Sequence, residues 1–320
     1  MTTASLQSLG YLPVATATLS PATTLDCDLF IQHPGRAFAE LYQGRNHPLL
    51  DHHLNSLRDD GVDHLYIRLQ DAEAYRAYLC QHVLGDSSVS PTIRLKALRE
   101  VTRVAFQDAL LASDCTKMVS VASGFGLDLV GMLADQTSAF PEVYKTLEHD
   151  YYTFTHACNV SVYATMMAIR LDICDSVELA ELATGALLHD IGKRHIPTHI
   201  LQKTDKLSDA EWLLIREHPV AGFRELQSRG DLSWGQLMMV YQHHERLDGS
   251  GYPAGLLGSE IHPWAQICTV ADVFDAMSCR RPYRRALPMI EVCDHLTRNA
   301  GLRYHAAAVE CWIDQLHALA

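Results

Sequence analysis

The chain has 320 residues, 48% of them hydrophobic and 20% charged, which suits one large or two ordinary folded domains and excludes a largely disordered or collagen-like polymer. Acidic residues outnumber basic ones by 38 to 26, a net charge of −12 with histidine neutral, so no general attraction to a nucleic acid polymer or to anionic lipid is expected. Nine cysteines with no CxxC pair read as free thiols of a cytoplasmic protein, and no uncharged apolar stretch is long enough to insert in a membrane as a helix. The uncharged opening lacks both a basic start and a sustained apolar run, so no signal peptide is expected.

Residues 1–85 read as a small α+β domain. Segments 29–31, 37–42 and 64–69 are expected strands bounded by Pro, Gly or Asp-Gly punctuation. Residues 51–59 form an expected helix that stops at Asp60-Gly61, and 71–83 a second one with Tyr75, Tyr78 and Leu79 on one face. No phosphate loop or metal cluster occurs there, and the pair His52-His53 reads as a solvated helix face. The domain is a candidate sensor, and a candidate surface for a homodimer or a signalling partner. Residues 86–140 read as a linker and connecting helices, with Pro91 able to start the first of them.

From Pro91 the apolar spacing is helical throughout, and residues 141–320 are expected to be an all-helical domain. Helices are expected near 91–113, 115–137, 141–170, 176–190, 208–228, 233–245, 263–279 and 288–299. The fold class is therefore mainly α, with a small α+β domain in front.

Histidine is over-represented: eighteen in the chain, nine of them between His149 and His262. His156 extends the inward stripe Val160, Tyr163, Ala164 and Met167 by one turn. His189 and Asp190 follow Ala186 and Leu187 by three residues each. His218 follows Leu214 and Ile215, and His243-His244 follow Met239 and Val240, at the same helical spacings. Asp272 lies among Ile267, Ala271 and Phe274. Any one of these alone reads as a hydrogen-bonded core residue or a cap. Ligand-type side chains at core-facing positions on five helices are another matter, because burying each without a partner would cost roughly 2–7 kcal/mol. A shared cation satisfies them together, and an adjacent His-Asp pair suits a two-metal site because a short carboxylate can bridge two ions.

His189-Asp190-Ile191-Gly192-Lys193 resembles the HD motif of the HD metallophosphohydrolases. His243-His244-Glu245-Arg246-Leu247-Asp248-Gly249-Ser250-Gly251-Tyr252-Pro253 is similar to the HHExxDGxGYP stretch of the HD-GYP subfamily. Asp272 to Met277 and Arg281-Pro282-Tyr283-Arg284 resemble its later DxxDA and RPYR elements. The resemblance covers roughly residues 145–315, in the expected order. It implies an HD-type catalytic domain that hydrolyses cyclic-di-GMP to linear pGpG, or on to GMP, through a hydroxide shared by two divalent metals, iron or manganese. Carried over by position, His156, His189, Asp190 and Asp272 would hold one metal and His218, His243 and His244 the second, with Asp190 bridging. Asp190 and Lys193 would be the catalytic pair, and Lys193, Tyr252, Arg281 and Arg284 would contact the substrate. Glu245 and Asp248 read as supporting or loop-capping groups rather than ligands. Members with a third metal carry a glutamate four residues before the first histidine ligand; here that position is Tyr152, so two metals are expected. The alternatives are an HD phosphohydrolase for another nucleotide, including another cyclic dinucleotide, and a catalytically silent cyclic-di-GMP receptor.

Overall fold

The computed structural model describes residues 10–33, 36, 38–86, 88–133, 153–201, 203, 205–279 and 285–318. The chain is mainly helical with one small sheet, and it divides into two compact units, residues 1–112 and 113–320.

In the first unit a four-stranded antiparallel sheet has the order β1-β4-β2-β3, where β1 is Tyr11–Ala15, β2 Leu29–Ile31, β3 Glu40–Gln43 and β4 His64–Arg68. Alternation puts Leu12 and Val14 of β1 and Leu65 and Ile67 of β4 into the core. β1 is an additional strand. Its Pro13 argues against a central strand, and it is tolerated because β1 lies at the sheet edge. Helices α1 (Asp51–Asp59) and α2 (Ala72–Leu79) cover the sheet, with Leu57, Tyr75, Tyr78 and Leu79 buried. The expected helix 71–83 closes with a wider π-type turn over Cys80–Leu84.

The expected connecting segment 86–140 is divided between the units. Helix α3 (Pro91–Leu111) belongs to the first, where Ala97, Ile93, Val101 and Val104 join its core. Helix α4 (Cys115–Leu133) belongs to the second and packs on α6 (Ser176–Leu188).

The second unit is built around α5 (Thr153–Leu171), whose residues 155–168 are buried on every side, as expected for a central helix. Residues 141–152 of the expected first helix lie outside the described residues. The expected helix 208–228 is two helices, α8 (Asp209–Arg216) and α9 (His218–Leu226). Pro219 has no N–H for an uninterrupted ladder and starts α9 instead. α10 (Trp234–Gln242), α11 (Pro263–Ser278) and α12 (Met289–Asn299) fall where expected, and α13 (Ala306–His317) is an additional helix. Tyr163, Phe274 and Trp312 meet with centroids 4.9–5.2 Å apart and lock α5, α11 and α13 together. A one-turn helix, α7 (Thr198–Leu201), lies between α6 and α8.

Candidate metal centre

The seven residues expected to hold metal converge at one place in the second unit. His156 comes from the first turns of α5, Asp272 from the middle of α11, and His189 and Asp190 from the end of α6. His218 opens α9, and His243 and His244 close α10. Six of the seven are buried and His244 is half-buried.

Asp190 lies at the middle. Its Oδ2 is 3.6 Å from His156 Nε2 and 3.3 Å from His189 Nε2, while its Oδ1 is 3.2 Å from His218 Nε2 and 3.7 Å from His243 Nε2. One carboxylate thus presents an oxygen to each of two histidine groups. Asp272 Oδ1 is 3.2 Å from His156 Nε2, and its Oδ2 is 3.7 Å from His244 Nδ1. Two clusters able to hold metal result: His156, His189 and Asp272, and Asp190, His218, His243 and His244.

Backbone contacts set the imidazoles. Nδ1 of His189 lies 2.6 Å from the Ala186 carbonyl, and Nδ1 of His218 lies 2.7 Å from that of Ile215. His243 Nδ1 reaches the carbonyls of Met239 and Val240 at 3.0 and 3.1 Å. A carbonyl can only accept, so each Nδ1 carries a proton and each Nε2 is left to face the centre. His156 is oriented by a carboxylate, its Nδ1 lying 2.7 Å from Asp275 Oδ2. Asp275 also accepts from Asn159 Nδ2 at 2.8 Å and from the Cys279 thiol at 3.3 Å. The expected ligand set omits Asp275 and Asn159. The available signal was the second aspartate of Asp272-Val273-Phe274-Asp275, one turn from a ligand on the same helix.

The electrostatics put His243, His244, Asp190 and Asp272 in the form that binds a cation, while His156 must give up a proton to do so. Burial pushes the His243 and His244 imidazoles well below the usual range, and their histidine neighbours add to it, so both are neutral at pH 7. Burial alone would raise Asp190, but the Lys193 ammonium and His189 outweigh it and hold the carboxyl well below the carboxylate range. Asp272 is lowered too, against burial, chiefly by its hydrogen bond with His156. His156 is lifted to about 10 because Asp272 and Asp275 outweigh the burial that would lower it.

The residues fit divalent metal. The buried atoms Asp190 Oδ1 and His189 Nε2 make no hydrogen bond of acceptable geometry among the described residues. An unmet buried polar atom is costly, and ions coordinated by these two atoms, one on each side of Asp190, would remove that cost.

Two close approaches bring these side chains together. A Cβ at Gly192 would meet the His218 carbonyl at 2.0 Å and Gly222 N at 2.6 Å. Only glycine lets α9 lie on the turn after Asp190, and that contact carries His218 to the centre. At Gly251 a Cβ would meet Arg246 N and Glu245 Cα at 2.4 Å, so the loop after His244 folds back tightly. The buried Glu245 carboxylate holds that loop by accepting from the amides of Ala254, Gly255 and Leu256 at 2.7–3.2 Å. Asp248 caps its tip by accepting from the Ser250 amide and hydroxyl.

Lys193 Nζ lies 2.5 Å from Asp190 Oδ2, at the edge of the centre. Tyr252 stacks on His244 with centroids 4.7 Å apart and an interplanar angle of 28°. Arg281, Arg284 and Tyr152 lie outside the described residues.

Residues 141–308 match the family model described as "HD domain". The chain is 44% identical over 140 residues to the 3′3′-cGAMP-specific phosphodiesterase 3 of Vibrio cholerae, covering 43% of this chain and 30% of that one. It is 39% identical to a cyclic di-GMP phosphodiesterase of Pseudomonas aeruginosa, covering 42% and 33%, and 37% identical to one of Thermotoga maritima, covering 51% and 45%. The chain thus spans less than half the length of each of these relatives. Among solved structures, the HDG"Y"P protein Bd1817 from Bdellovibrio bacteriovorus superposes with a TM-score of 0.70 at 20% identity, over 96% of this chain and 99% of that one. That likeness is one of fold.

Proposed function

The chain belongs to the HD domain family, in its HD-GYP branch, and from that membership we propose that it is a metal-dependent phosphodiesterase hydrolysing cyclic-di-GMP to linear pGpG. The observation that carries the reading is the split of Asp190, one oxygen toward His156 and His189 and the other toward His218 and His243. A silent receptor would be expected to lack part of the ligand set, and all seven positions are filled here.

His156, His189, Asp190 and Asp272 would hold one ion, and Asp190, His218, His243 and His244 the other. Mixed imidazole and carboxylate donors suit iron or manganese rather than a closed structural zinc. Two such ions, when bound, lower the pKa of a water and neutralise charge that builds on phosphoryl oxygens. The protein's own part is orientation: backbone carbonyls and Asp275 fix which imidazole nitrogen faces inward, before any substrate arrives. Lys193 puts an ammonium beside Asp190, where it adds positive charge for the phosphate under attack. Tyr252, stacked on His244, offers its hydroxyl rather than an open ring face, because Arg216 also lies over the ring. Arg281 and Arg284 are proposed as guanidinium clamps on the nucleotide. The count of two ions rests on the seven donors and on the chemistry of Tyr152, since a phenol is a poor ligand for a hard ion near neutral pH. Without a third ion to grip the linear product, hydrolysis is expected to stop at pGpG.

The test is metal analysis of protein purified without chelator, coupled to product chromatography with cyclic-di-GMP and 3′3′-cGAMP side by side. Two ions per chain and release of pGpG are expected. Fully loaded protein that turns over neither nucleotide overturns the reading, and faster turnover of 3′3′-cGAMP moves the substrate assignment to that nucleotide.

A further inference from the structure

Arg216 is the last residue of α8, two positions before the ligand His218, and the break before Pro219 turns the chain there. Its guanidinium lies over the Tyr252 ring, Cζ 5.3 Å from the centroid, and Tyr252 in turn stacks on the ligand His244. The tyrosine is also tied to the centre through its amide, which donates to the His244 carbonyl at 3.2 Å.

The other described cations around the centre are committed. Lys193 pairs with Asp190, Arg194 with Glu225 at 2.7 Å, and Arg303 with Asp248 at 3.4 Å. Arg246 donates to the Glu245 carbonyl at 2.8 Å and covers Tyr304. Among the described residues no carboxylate pairs with Arg216, although the chain as a whole is acidic and the side chain is exposed. A guanidinium braced on an aromatic ring keeps its charge and has five N–H donors, enough to serve a planar, bidentate acceptor as well. A phosphodiester is such an acceptor.

We propose that Arg216, braced on Tyr252, binds the second phosphodiester of a cyclic dinucleotide, the one not being cut at the metal centre. This rests on the hydrolase reading above and names a further substrate-binding residue for it. The placement supports the second phosphate rather than the first, because Asp190 and Lys193 define where the scissile group must lie and Arg216 sits beyond the Tyr252 ring that stacks on His244.

The experiment compares metal-loaded wild type with Arg216→Ala and Arg216→Lys. On cyclic-di-GMP the alanine variant should raise KM about tenfold or more with kcat within about threefold, the loss expected of one charge-assisted phosphate contact. The lysine variant should recover part of that loss, since it keeps the charge but not the fork. On bis(p-nitrophenyl) phosphate, which brings a single phosphate, the rise in KM should be smaller by about threefold or more. Calorimetric binding of the hydrolysis-resistant phosphorothioate analogue of cyclic-di-GMP should weaken by the same factor as KM. An equal change on both substrates, a fall in kcat at constant KM, or no change at all overturns the proposal. Wild type that cuts bis(p-nitrophenyl) phosphate but no cyclic dinucleotide marks failure of the hydrolase reading itself, and the assignment of Arg216 falls with it.

Discussion

In the unit of residues 1–112 the buried hydroxyls close on one another, whereas in the unit of residues 113–320 the buried imidazoles and carboxylates converge and leave atoms unmet. Thr23 donates to the Ser20 carbonyl, so the Tyr78 hydroxyl, which accepts from the Ser20 amide, donates to Thr23. Arg45 joins Asp71 at 2.8 Å and Asp26 at 3.4 Å, while its amide donates to Asp28. Nothing in that network asks for an outside atom. Around Asp190, by contrast, groups of one kind face each other: His218 and His243 approach with their Nε2 atoms 3.1 Å apart. Each already gives its Nδ1 proton to a backbone carbonyl, so the two Nε2 atoms that face each other are the pair an ion would separate. Polarity that closes internally is structural, and polarity that converges on lone pairs calls for a cation.

The largest effect is expected where that contrast is removed at its centre. Asp190→Asn should lower turnover by about a thousandfold or more, since several kcal/mol of charge stabilisation depend on the bridged ions. Metal content should fall with it, and far-ultraviolet circular dichroism should stay that of a folded helical protein. Full activity with two ions bound would sink the bridging role.

Chelation should separate the two units thermally. With metal at 100 to 1,000 times its Kd, binding contributes about 3–4 kcal/mol to the state that holds it. Stripping it should lower the melting of residues 113–320 by roughly 10 °C and leave the transition of residues 1–112 in place. Calorimetry of the full chain reads both; equal shifts in the two transitions would erase the distinction drawn here.

Asp275→Asn tests whether the carboxylate behind His156 belongs to the converging network. Metal affinity should weaken about 10–100-fold, with turnover recovering as metal is raised. Unchanged affinity by competition with a chromogenic chelator would assign Asp275 to packing alone.

The seven candidate ligands were legible because each lies on or one turn from an apolar helical stripe, and because the stretch from His243 to Pro253 is long enough to identify on its own. The break between α8 and α9 was legible in Pro219, and the stripe Val309, Trp312 and Leu316 of α13 has ordinary helical spacing. β1 was harder to read, since Pro13 counts against a strand until the sheet order shows it at an edge. What no local pattern could give is long-range. The reach of Asp275 back to His156 spans 119 residues, and the approach of Gly192 to His218 and Gly222 exists only once α9 has packed. Lys193 offers two readings in sequence, a phosphate contact or a cation that suits a helix C-terminus; the structure puts its ammonium on Asp190.

The smallest effect is expected in the closed network, and it sharpens the comparison from the other side. Thr18 has one hydroxyl proton and directs it to the Ala15 carbonyl at 2.7 Å, so the Tyr75 hydroxyl 2.8 Å away must be the donor between them. Burial raises Tyr75 far above the usual phenol range, with Glu100 adding to it, so the proton stays on the hydroxyl at any pH the fold survives. Tyr75→Phe removes that donor and leaves one lone pair of Thr18 unfilled while its own donation to Ala15 survives. The ring keeps its place in the core, so little packing is lost. An unmet acceptor of this kind costs about 1 kcal/mol, well short of the penalty for a stranded charge. Urea unfolding of residues 1–112 within the full chain should show that loss at unchanged slope, with metal content and turnover as in the parent protein. A loss of metal or activity in this variant would mean that the two kinds of polar network are coupled, which the closure of the first one argues against.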